Sequence, residues 1–239
     1  MAFNIINIDT VDSTNNYLKS LAREGAKHGT AVLARTQTAG RGRQGKSFYS
    51  SDGGVYFSAY YCFEDIKPGD FTLVTPVAAL AALSAIEEVS GLELRVKWVN
   101  DIFHGNKKVC GILAERVAAG KSPGYDGFIV GVGVNLPGVN LPDTLKNKAG
   151  VVPAERQRLA SRLAEKLDFD LDFLRHPDRV DEYRKKSCLT GRDVSFVRGG
   201  INFSGRVLDI DKKFRLIVKT PEGIMALDSG EVSIGLASF

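Results

Sequence analysis

The chain has 239 residues, of which 44% are hydrophobic and 25% are charged, as in soluble globular proteins of one or two domains. The formal charge of +4 is too small to indicate nucleic-acid binding by itself, and the three cysteines and three histidines are too scattered for a disulfide framework or a metal site. The first residues lack the features of a signal peptide, and the cysteine usage fits a reducing cytosol. The longest apolar stretch, Val74 to Ile86, is short for a membrane span and is interrupted by Pro76 and Ser84.

The N-terminal segment predicts a short strand, a turn at Asp12-Ser13-Thr14, and a helix that runs from about Asn15 to Gly25. Ser13 and Thr14 have two interpretations that are compatible with each other. They can cap the helix, as hydroxyl residues commonly do, or they can present hydrogen-bonding groups to a ligand. A strand is predicted at Thr30 to Ala34.

The basic loop, Thr38 to Lys46, is the most informative segment, with three glycines and three cations in nine residues. Glycines let backbone N–H groups approach a ligand, and the cations add positive charge, so the loop suits a phosphate or a carboxylate. Gly40 to Ser47 literally matches the spacing of a P-loop, but a P-loop continues into a helix, whereas here a turn and the strand-like segment Val55 to Tyr61 follow. A solvated basic hairpin is the alternative without a ligand.

The middle of the chain predicts a buried helix and a hairpin. Phe71 to Ser90 is rich in alanine and leucine, is apolar on two sides, and is closed by Gly91. Leu94 to Val99 is strand-like and is followed by a turn at Asn100-Asp101. The Gly105-Asn106-Lys107 turn then leads into a strand from Val109 to Val117.

The strand Phe128 to Asn135 has one apolar face and one nearly bare face. The apolar face carries Phe128, Val130, Val132 and Val134, and the other face carries Ile129, Gly131, Gly133 and Asn135. A bare face lets a ligand or another backbone approach closely, with Asn135 as a polar contact at its end. A tight strand crossing without a ligand would explain the same pattern.

The last third of the chain changes character at Cys188. Helical, charged sequence runs from about Pro153 to Lys186 and is interrupted at His176-Pro177. Short strands at regular spacing follow, which predicts a small β-barrel or sandwich of about fifty residues.

Five segments in this order resemble the biotin–protein ligase family, over almost the whole chain. They are Asp12-Ser13-Thr14-Asn15, Gln37 to Arg43, Lys97-Trp98-Val99-Asn100-Asp101, Lys108 to Leu113, and Gly131 to Asn135. The resemblance implies an α+β fold: a central mixed sheet flanked by helices, as in class II synthetases, followed by an SH3-like barrel. It implies a catalytic domain at 1–187 and a C-terminal β-domain at 188–239.

The resemblance also implies the site and its substrates, biotin and ATP, which the family joins before it passes biotin to a lysine. The biotin-binding positions are Ser13, Thr14, Asn15, Gln37, Gly40, Arg41, Gly42, Arg43, Lys108 and Gly111. The ATP-binding positions are Arg43, Lys46, Phe48, Asn100 and Asn135. Phe48 stands where the family usually has a tryptophan against adenine.

The chemistry predicts three catalytic residues, because two anions must meet before they react. Lys108 and Arg43 would neutralise charge at the reacting phosphate, and Asp101 would accept a proton from the acceptor lysine or orient the site. Mg²⁺ is expected to enter with ATP, with Asn100 and Asp101 as the nearest protein candidates and with no site held by protein alone.

The expected partner is a biotin carboxyl carrier protein or domain, in the cytoplasm, with no specific DNA binding and no membrane. The sequence leaves open whether the protein forms a homodimer. Two alternatives remain: a lipoate–protein ligase, which would be expected to carry an Arg-Arg and Gly-Gly-Gly-type motif in place of Gly40 to Arg43, and a non-catalytic biotin or nucleotide sensor.

Overall fold

A computed structural model describes residues 3–118, 126–228, 230 and 232–234. Seven strands form the larger sheet, in the order β1-β2-β3-β7-β6-β5-β4. Their bounds are β1 Asn4–Val11, β2 Thr30–Gln37, β3 Val55–Cys62, β4 Arg95–Lys97, β5 Asp101–His104, β6 Lys107–Ala118 and β7 Asp126–Val134. β1 pairs with β2 in parallel and all other neighbours pair antiparallel, so the predicted mixed sheet is confirmed.

Six helices accompany this sheet in the described ranges. They are α1 Thr14–Arg23, α2 Phe71–Ser90, α3 Asp143–Lys146, α4 Arg156–Leu167, α5 Leu171–Arg175 and α6 Asp178–Lys186. α2 and α4 pack on one face of the sheet and contribute to the main hydrophobic core. α1 packs on the opposite face, where Leu18 and Ala22 meet Val32, Tyr60 and Ile129. The sheet is therefore covered on both faces, and the short α3 is a helix that the sequence pattern did not predict.

Helix α2 begins at Phe71 and ends at Gly91, whose φ of +71° is the left-handed conformation that glycine adopts most easily at a helix end. The predicted helix over Phe71 to Ser90 is confirmed, and Pro76 and Ser84 lie within it. By length and composition it could cross a membrane, but 61% of its apolar window is buried inside the fold. Its apolarity is explained by this burial between the sheet and its neighbouring helices.

Strand β7 has the predicted alternation of side chains between an apolar face and a nearly bare face. Its apolar face belongs to the main core and carries Phe128, Val130, Val132 and Val134. Ile129 belongs to the smaller cluster under α1, on the opposite face of the sheet. The two glycines that follow Ile129 on that face leave room for other groups: Gly131 lies beside Asn15 of α1, and Gly133 lies beside Phe48.

Five strands form a second, antiparallel sheet in the order β11-β10-β9-β8-β12. Their bounds are β8 Asp193–Arg198, β9 Ile201–Ile210, β10 Leu216–Thr220, β11 Gly223–Leu227 and β12 Val232–Ile234. The predicted all-β C-terminal region is confirmed, although within the described residues β11 and β12 are edges and do not close a barrel. The second sheet is tied to the first part of the chain by the indole Nε1 of Trp98, which donates to the carbonyl of Phe214 at 2.7 Å.

Candidate functional site

A cavity of about 570 Å³ opens on the bare face of the large sheet. Nearly all residues predicted for the site line it: Ser13, Thr14, Asn15, Gln37, Arg41, Gly42, Arg43, Lys46, Phe48, Asn100, Asp101, Lys108, Gly111 and Asn135. Gly40 lies behind the wall instead, where a Cβ atom would stand 2.3 Å from the carbonyl oxygen of Phe48. The absence of a side chain at Gly40 thus lets two backbone segments pack together.

Three glycines form the floor of the cavity, and side chains lie directly over them. A Cβ atom on Gly131 would stand 2.2 Å from Oδ1 of Asn15, and one on Gly133 would stand 2.5 Å from the ring of Phe48. A Cβ on Gly111 would stand 3.1 Å from both Phe48 and Nζ of Lys108. The bare face therefore accommodates Asn15, Phe48 and Lys108, and these side chains shape the space that remains for a ligand.

Thr14, Asn15 and Gln37 line one end of the cavity, and hydrogen bonds connect them to Ser50 and Ser58 behind the wall. The backbone N–H of Thr14 donates to Oε1 of Gln37 at 2.8 Å, and Nε2 of Gln37 donates to Oγ of Ser50 at 2.8 Å. The Ser58 hydroxyl lies 2.7 Å from Oγ1 of Thr14 and 2.6 Å from Oδ1 of Asn15. Such buried and mutually satisfied groups are held rigidly, so this end is preorganised for a polar, uncharged ligand.

Ser13 caps helix α1, because its side chain accepts from the backbone N–H of Asn16. Ser13 also lines the cavity. The capping role is confirmed, while its contact with a ligand stays a prediction. Ser50 and Ser58 were missed in the sequence. Each is a single hydroxyl in or beside a strand, without a local pattern that distinguishes it from other serines.

The basic loop is a tight hairpin between β2 and β3. Gly42 donates to the carbonyl of Lys46 at 2.6 Å, and a short 3-10 turn spans Arg43–Gly45. No helix follows this turn and the chain passes into β3, so the sequence argument against a P-loop is confirmed. The hairpin nevertheless borders the cavity with Arg41, Gly42, Arg43 and Lys46, so it is not merely a solvated turn.

Lys108 and Asp101 form an ion pair inside the cavity, with 2.6 Å between Nζ and Oδ1. The β5–β6 pairing explains it: Asp101 lies opposite Gly111, and the Lys108 side chain crosses the space that Gly111 leaves open. The Lys108 ammonium also stands 5.8 Å from the centre of the Phe48 ring. The hairpin thus presents a fixed positive charge beside an aromatic surface.

Arg43 reaches across the cavity to the turn before β5. Its Nη1 donates to Oδ1 of Asn100 at 3.2 Å, and Nδ2 of Asn100 donates to the carbonyl of Ile112 at 3.0 Å. Asn100 is therefore held against β6 and orients the guanidinium of Arg43.

The cavity as a whole is positively charged. Among the described lining residues, six are cationic and Asp101 is the sole acid, which suits an anionic ligand.

Residues 141–149 form a wall of the cavity that the sequence pattern did not predict. Leu141, Leu145 and Lys148 lie in it. The wall is attached to the hairpin because the N–H of Lys108 donates to the carbonyl of Lys148 at 2.9 Å. Asn135, as expected, ends β7 at the cavity, and its Nδ2 donates to the carbonyl of Gly150 at 3.1 Å. Asn135 therefore also fastens this wall to the sheet.

Cys110 lies next to the cavity but faces away from it, within the main core. Its side chain is fully buried, and burial raises the pKa of its thiol far above the ordinary value. The thiol is therefore protonated and inert at neutral pH, and Cys110 contributes to packing of the core.

Two family models match the chain. Residues 8–135 match the biotin/lipoate A/B protein ligase family, and residues 190–235 match the biotin protein ligase C-terminal domain. The chain belongs to the biotin/lipoate A/B protein ligase family. Within this family it is a biotin–protein ligase, since its relatives carry that activity in their names and its fold is theirs.

Two curated relatives illustrate the likeness. The bifunctional ligase/repressor BirA of Bacillus subtilis is 30% identical over 98% of this chain and 75% of its own length. The biotin--[acetyl-CoA-carboxylase] ligase of Mycobacterium tuberculosis is 30% identical over 92% of this chain and 85% of its own length.

Solved structures agree. The biotin protein ligase from Aquifex aeolicus in complex with biotin and ATP has 28% identity and a TM-score of 0.76, over 97% of this chain and 98% of that one. The ligase from Leishmania major in complex with biotinyl-5-AMP, at 21% identity and a TM-score of 0.62, supports the fold alone.

Proposed function

We propose that this ligase activates biotin with ATP to give biotinyl-5′-AMP and transfers the biotin to one lysine of a biotin carboxyl carrier domain. The observation that carries the proposal is the division of one cavity into two ends. One end is lined by the neutral side chains of Thr14, Asn15 and Gln37, with Ser58 behind them. The other end holds the ion pair of Lys108 with Asp101 and the hydrogen bond of Arg43 to Asn100.

The neutral end suits the ureido head of biotin. A buried ureido group needs donors and acceptors, because each unpaired polar group costs about 1–3 kcal/mol. Ser13, Thr14 and Gln37 supply them on rigid supports. With the head placed there, the carboxylate tail would extend over the glycine floor toward Lys108.

In the first reaction a biotin carboxylate oxygen attacks the α-phosphorus of ATP. A new P–O bond forms, the bond to the β-phosphate breaks, and pyrophosphate leaves with its electron pair. Lys108 and Arg43 would neutralise the charge that gathers at the α-phosphate, which is the main form of protein catalysis for such transfers. Phe48 would lie against adenine with its ring, while Asn135 and Lys46 would flank the nucleotide.

In the second reaction the lysine amine attacks the acyl carbon, and AMP leaves. Only about one lysine in a thousand is neutral at pH 7, because the pKa of lysine is near 10.4. Asp101 would accept the proton, although its ion pair with Lys108 equally supports a role in orienting that lysine. Magnesium would enter with ATP. Phosphates and water would hold most of the ion, beside Asn100 and Asp101.

Substitution of Gly133 by alanine should weaken ATP binding more than biotin binding. The added methyl would stand 2.5 Å from the Phe48 ring and would push the ring into the nucleotide end. We expect the KM for ATP to rise about tenfold, or about 1.4 kcal/mol, with the biotin KM within about twofold. Gly69→Ala is the matched control, since nothing lies within 4 Å of a Cβ there. Equal changes in both KM values would place Phe48 outside the nucleotide site.

The acceptor is tested by incubation of the purified chain with ATP, Mg²⁺, labelled biotin and an apo carrier domain. The matched control is the same carrier domain with its acceptor lysine replaced by arginine. We expect label on the intact carrier and none on the control. If the adenylate forms but neither carrier is labelled, the proposed acceptor is wrong.

Several finer points stay predictions. We expect a cytoplasmic protein in which residues 1–187 and 188–239 act as catalytic and C-terminal domains. We also expect no specific operator binding, and operator binding that survives about 200 mM salt would contradict this. The homodimer stays open, and light scattering with and without biotin and ATP would test it.

A further inference from the structure

Glu115 lies on β6 and is half-buried between helix α1 and the basic loop. Its side chain is 16% exposed, and it stands four residues beyond Gly111 of the cavity floor. It does not line the cavity itself. No motif distinguished it in the sequence, yet three side chains from α1 and the basic loop converge on its carboxylate.

The two carboxylate oxygens have different partners. Oε1 lies 2.6 Å from Nζ of Lys19 and 3.3 Å from Nη1 of Arg41. Oε2 accepts from Nδ2 of Asn15 at 2.9 Å. Burial alone would raise the pKa of Glu115, but the hydrogen bonds from Lys19 and Asn15 and the charge of Arg41 outweigh it, so the pKa is lowered and the group is ionised at neutral pH.

The Glu115 carboxylate occupies one of the two N–H donors on the Asn15 side-chain amide. Nδ2 of Asn15 donates to Glu115 and to the carbonyl of Leu113 at 3.3 Å, so both of its N–H donors are used within the protein. The other side of the amide meets Ser58 above Gly131. Asn15 is therefore a fixed part of the cavity wall, and Glu115 holds its orientation.

The contact with Arg41 anchors the basic hairpin on the same carboxylate. Nη1 of Arg41 also donates to Oδ1 of Asn16 at 2.8 Å, so the guanidinium is held from α1 and from β6 together. This fixes the hairpin over the biotin end, whereas Arg43 is oriented separately by Asn100.

We propose that Glu115 is a positioning residue for biotin: it holds Asn15 and Arg41 in place around the ureido end and acts on affinity for biotin without contacting it. The proposal rests on the proposed function. The proposed role of Glu115 differs from that of residues that act on the reacting phosphate. The contacts of Glu115 are all at the opposite end of the cavity from Lys108.

Glu115→Gln distinguishes this role from plain stabilisation. The glutamine can still accept a hydrogen bond from Asn15, but it lacks the charge that holds Arg41 and Lys19. Glu115→Ala removes both contacts. Lys19→Met is the matched control, because it removes the strongest ion pair of Glu115 and leaves Asn15 and Arg41 in contact with the carboxylate.

The experiment measures biotin-dependent exchange of pyrophosphate into ATP for the wild-type chain and these three variants, with melting temperatures in parallel. We expect Glu115→Gln to raise the biotin KM about fivefold and Glu115→Ala to raise it more than twentyfold. The kcat and the ATP KM should stay within about twofold, and the biotin KM of Lys19→Met should stay within about twofold of wild type.

An unchanged biotin KM in both Glu115 variants, whether or not they melt earlier, would overturn the proposal and leave Glu115 a structural residue. An equal increase of the biotin KM in Lys19→Met and Glu115→Gln would also overturn the proposal. A wild-type chain without exchange would reject the proposed function instead. Biotin affinity from calorimetry would then replace KM in the comparison, and a wild-type chain that binds no biotin would reject both.

Discussion

Lys108→Ala is expected to lower kcat for adenylation by about 100- to 1,000-fold while biotin affinity falls less than about fivefold. Magnitudes of this size are typical when one preorganised charge or donor is removed from a transition state. Lys108 stands at the charged end, on a hairpin, and its loss also leaves the Asp101 carboxylate without its 2.6 Å partner, next to the proposed position of the phosphate. Adenylation is measured by pyrophosphate exchange, and biotin affinity by calorimetry.

Lys107→Ala is the matched control for that variant. Lys107 precedes Lys108 in the same strand, but it is exposed and does not line the cavity. Its removal should leave both quantities within about twofold of wild type. If Lys108→Ala lowered biotin affinity and adenylation by the same factor, Lys108 would bind ground state and transition state equally, and its assigned role would be wrong.

Arg43→Gly is expected to release biotinyl-5′-AMP at least about tenfold faster than the wild-type chain. The substitution removes the guanidinium that Asn100 orients toward the phosphate end, and it adds a glycine to a hairpin that already contains three. Preformed labelled adenylate is bound to each protein, and its release is followed after dilution into unlabelled adenylate.

Arg43→Ala separates the two causes, because alanine removes the charge without the added backbone freedom. Arg35→Ala is the control for loss of an arginine elsewhere, since Arg35 is exposed and pairs with Asp52 away from the cavity. Release from Arg43→Gly at the wild-type rate would remove Arg43 from the retention of the intermediate.

Much of the fold could be predicted because its signals are local. The two-sided apolarity of Phe71 to Ser90, the alternation along Phe128 to Val134 and the regular strands after Cys188 each follow from the period of a helix or a strand. The exceptions were short elements: α3 has four residues and β12 has three, which is too few for a periodic signal.

The position of the site could be predicted because glycines and polar residues appear in apolar segments where they cost stability. The three glycines of the floor stand out for this reason, and the structure shows which groups occupy the space they leave. The P-loop could be rejected from the sequence, because a turn and a strand-like segment follow the glycine loop where a P-loop requires a helix.

The supporting network could not be predicted, because its members are distant in sequence and individually ordinary. Asn15 meets Glu115 across 100 positions and Ser58 across 43. Such contacts depend on the register of β3, β6 and β7 beside α1, which the sequence pattern does not set. The resemblance to the family predicted the groups that would face a ligand, and the structure adds the groups behind them.

The most direct test of the central claim is exchange of labelled pyrophosphate into ATP by the purified wild-type chain, with biotin, with lipoate and with neither. The two-ended cavity predicts exchange that depends on biotin and that lipoate does not support. Exchange with lipoate at a similar rate would contradict the assignment of the neutral end to the ureido head. Binding of biotin without any exchange would indicate a sensor instead of a ligase.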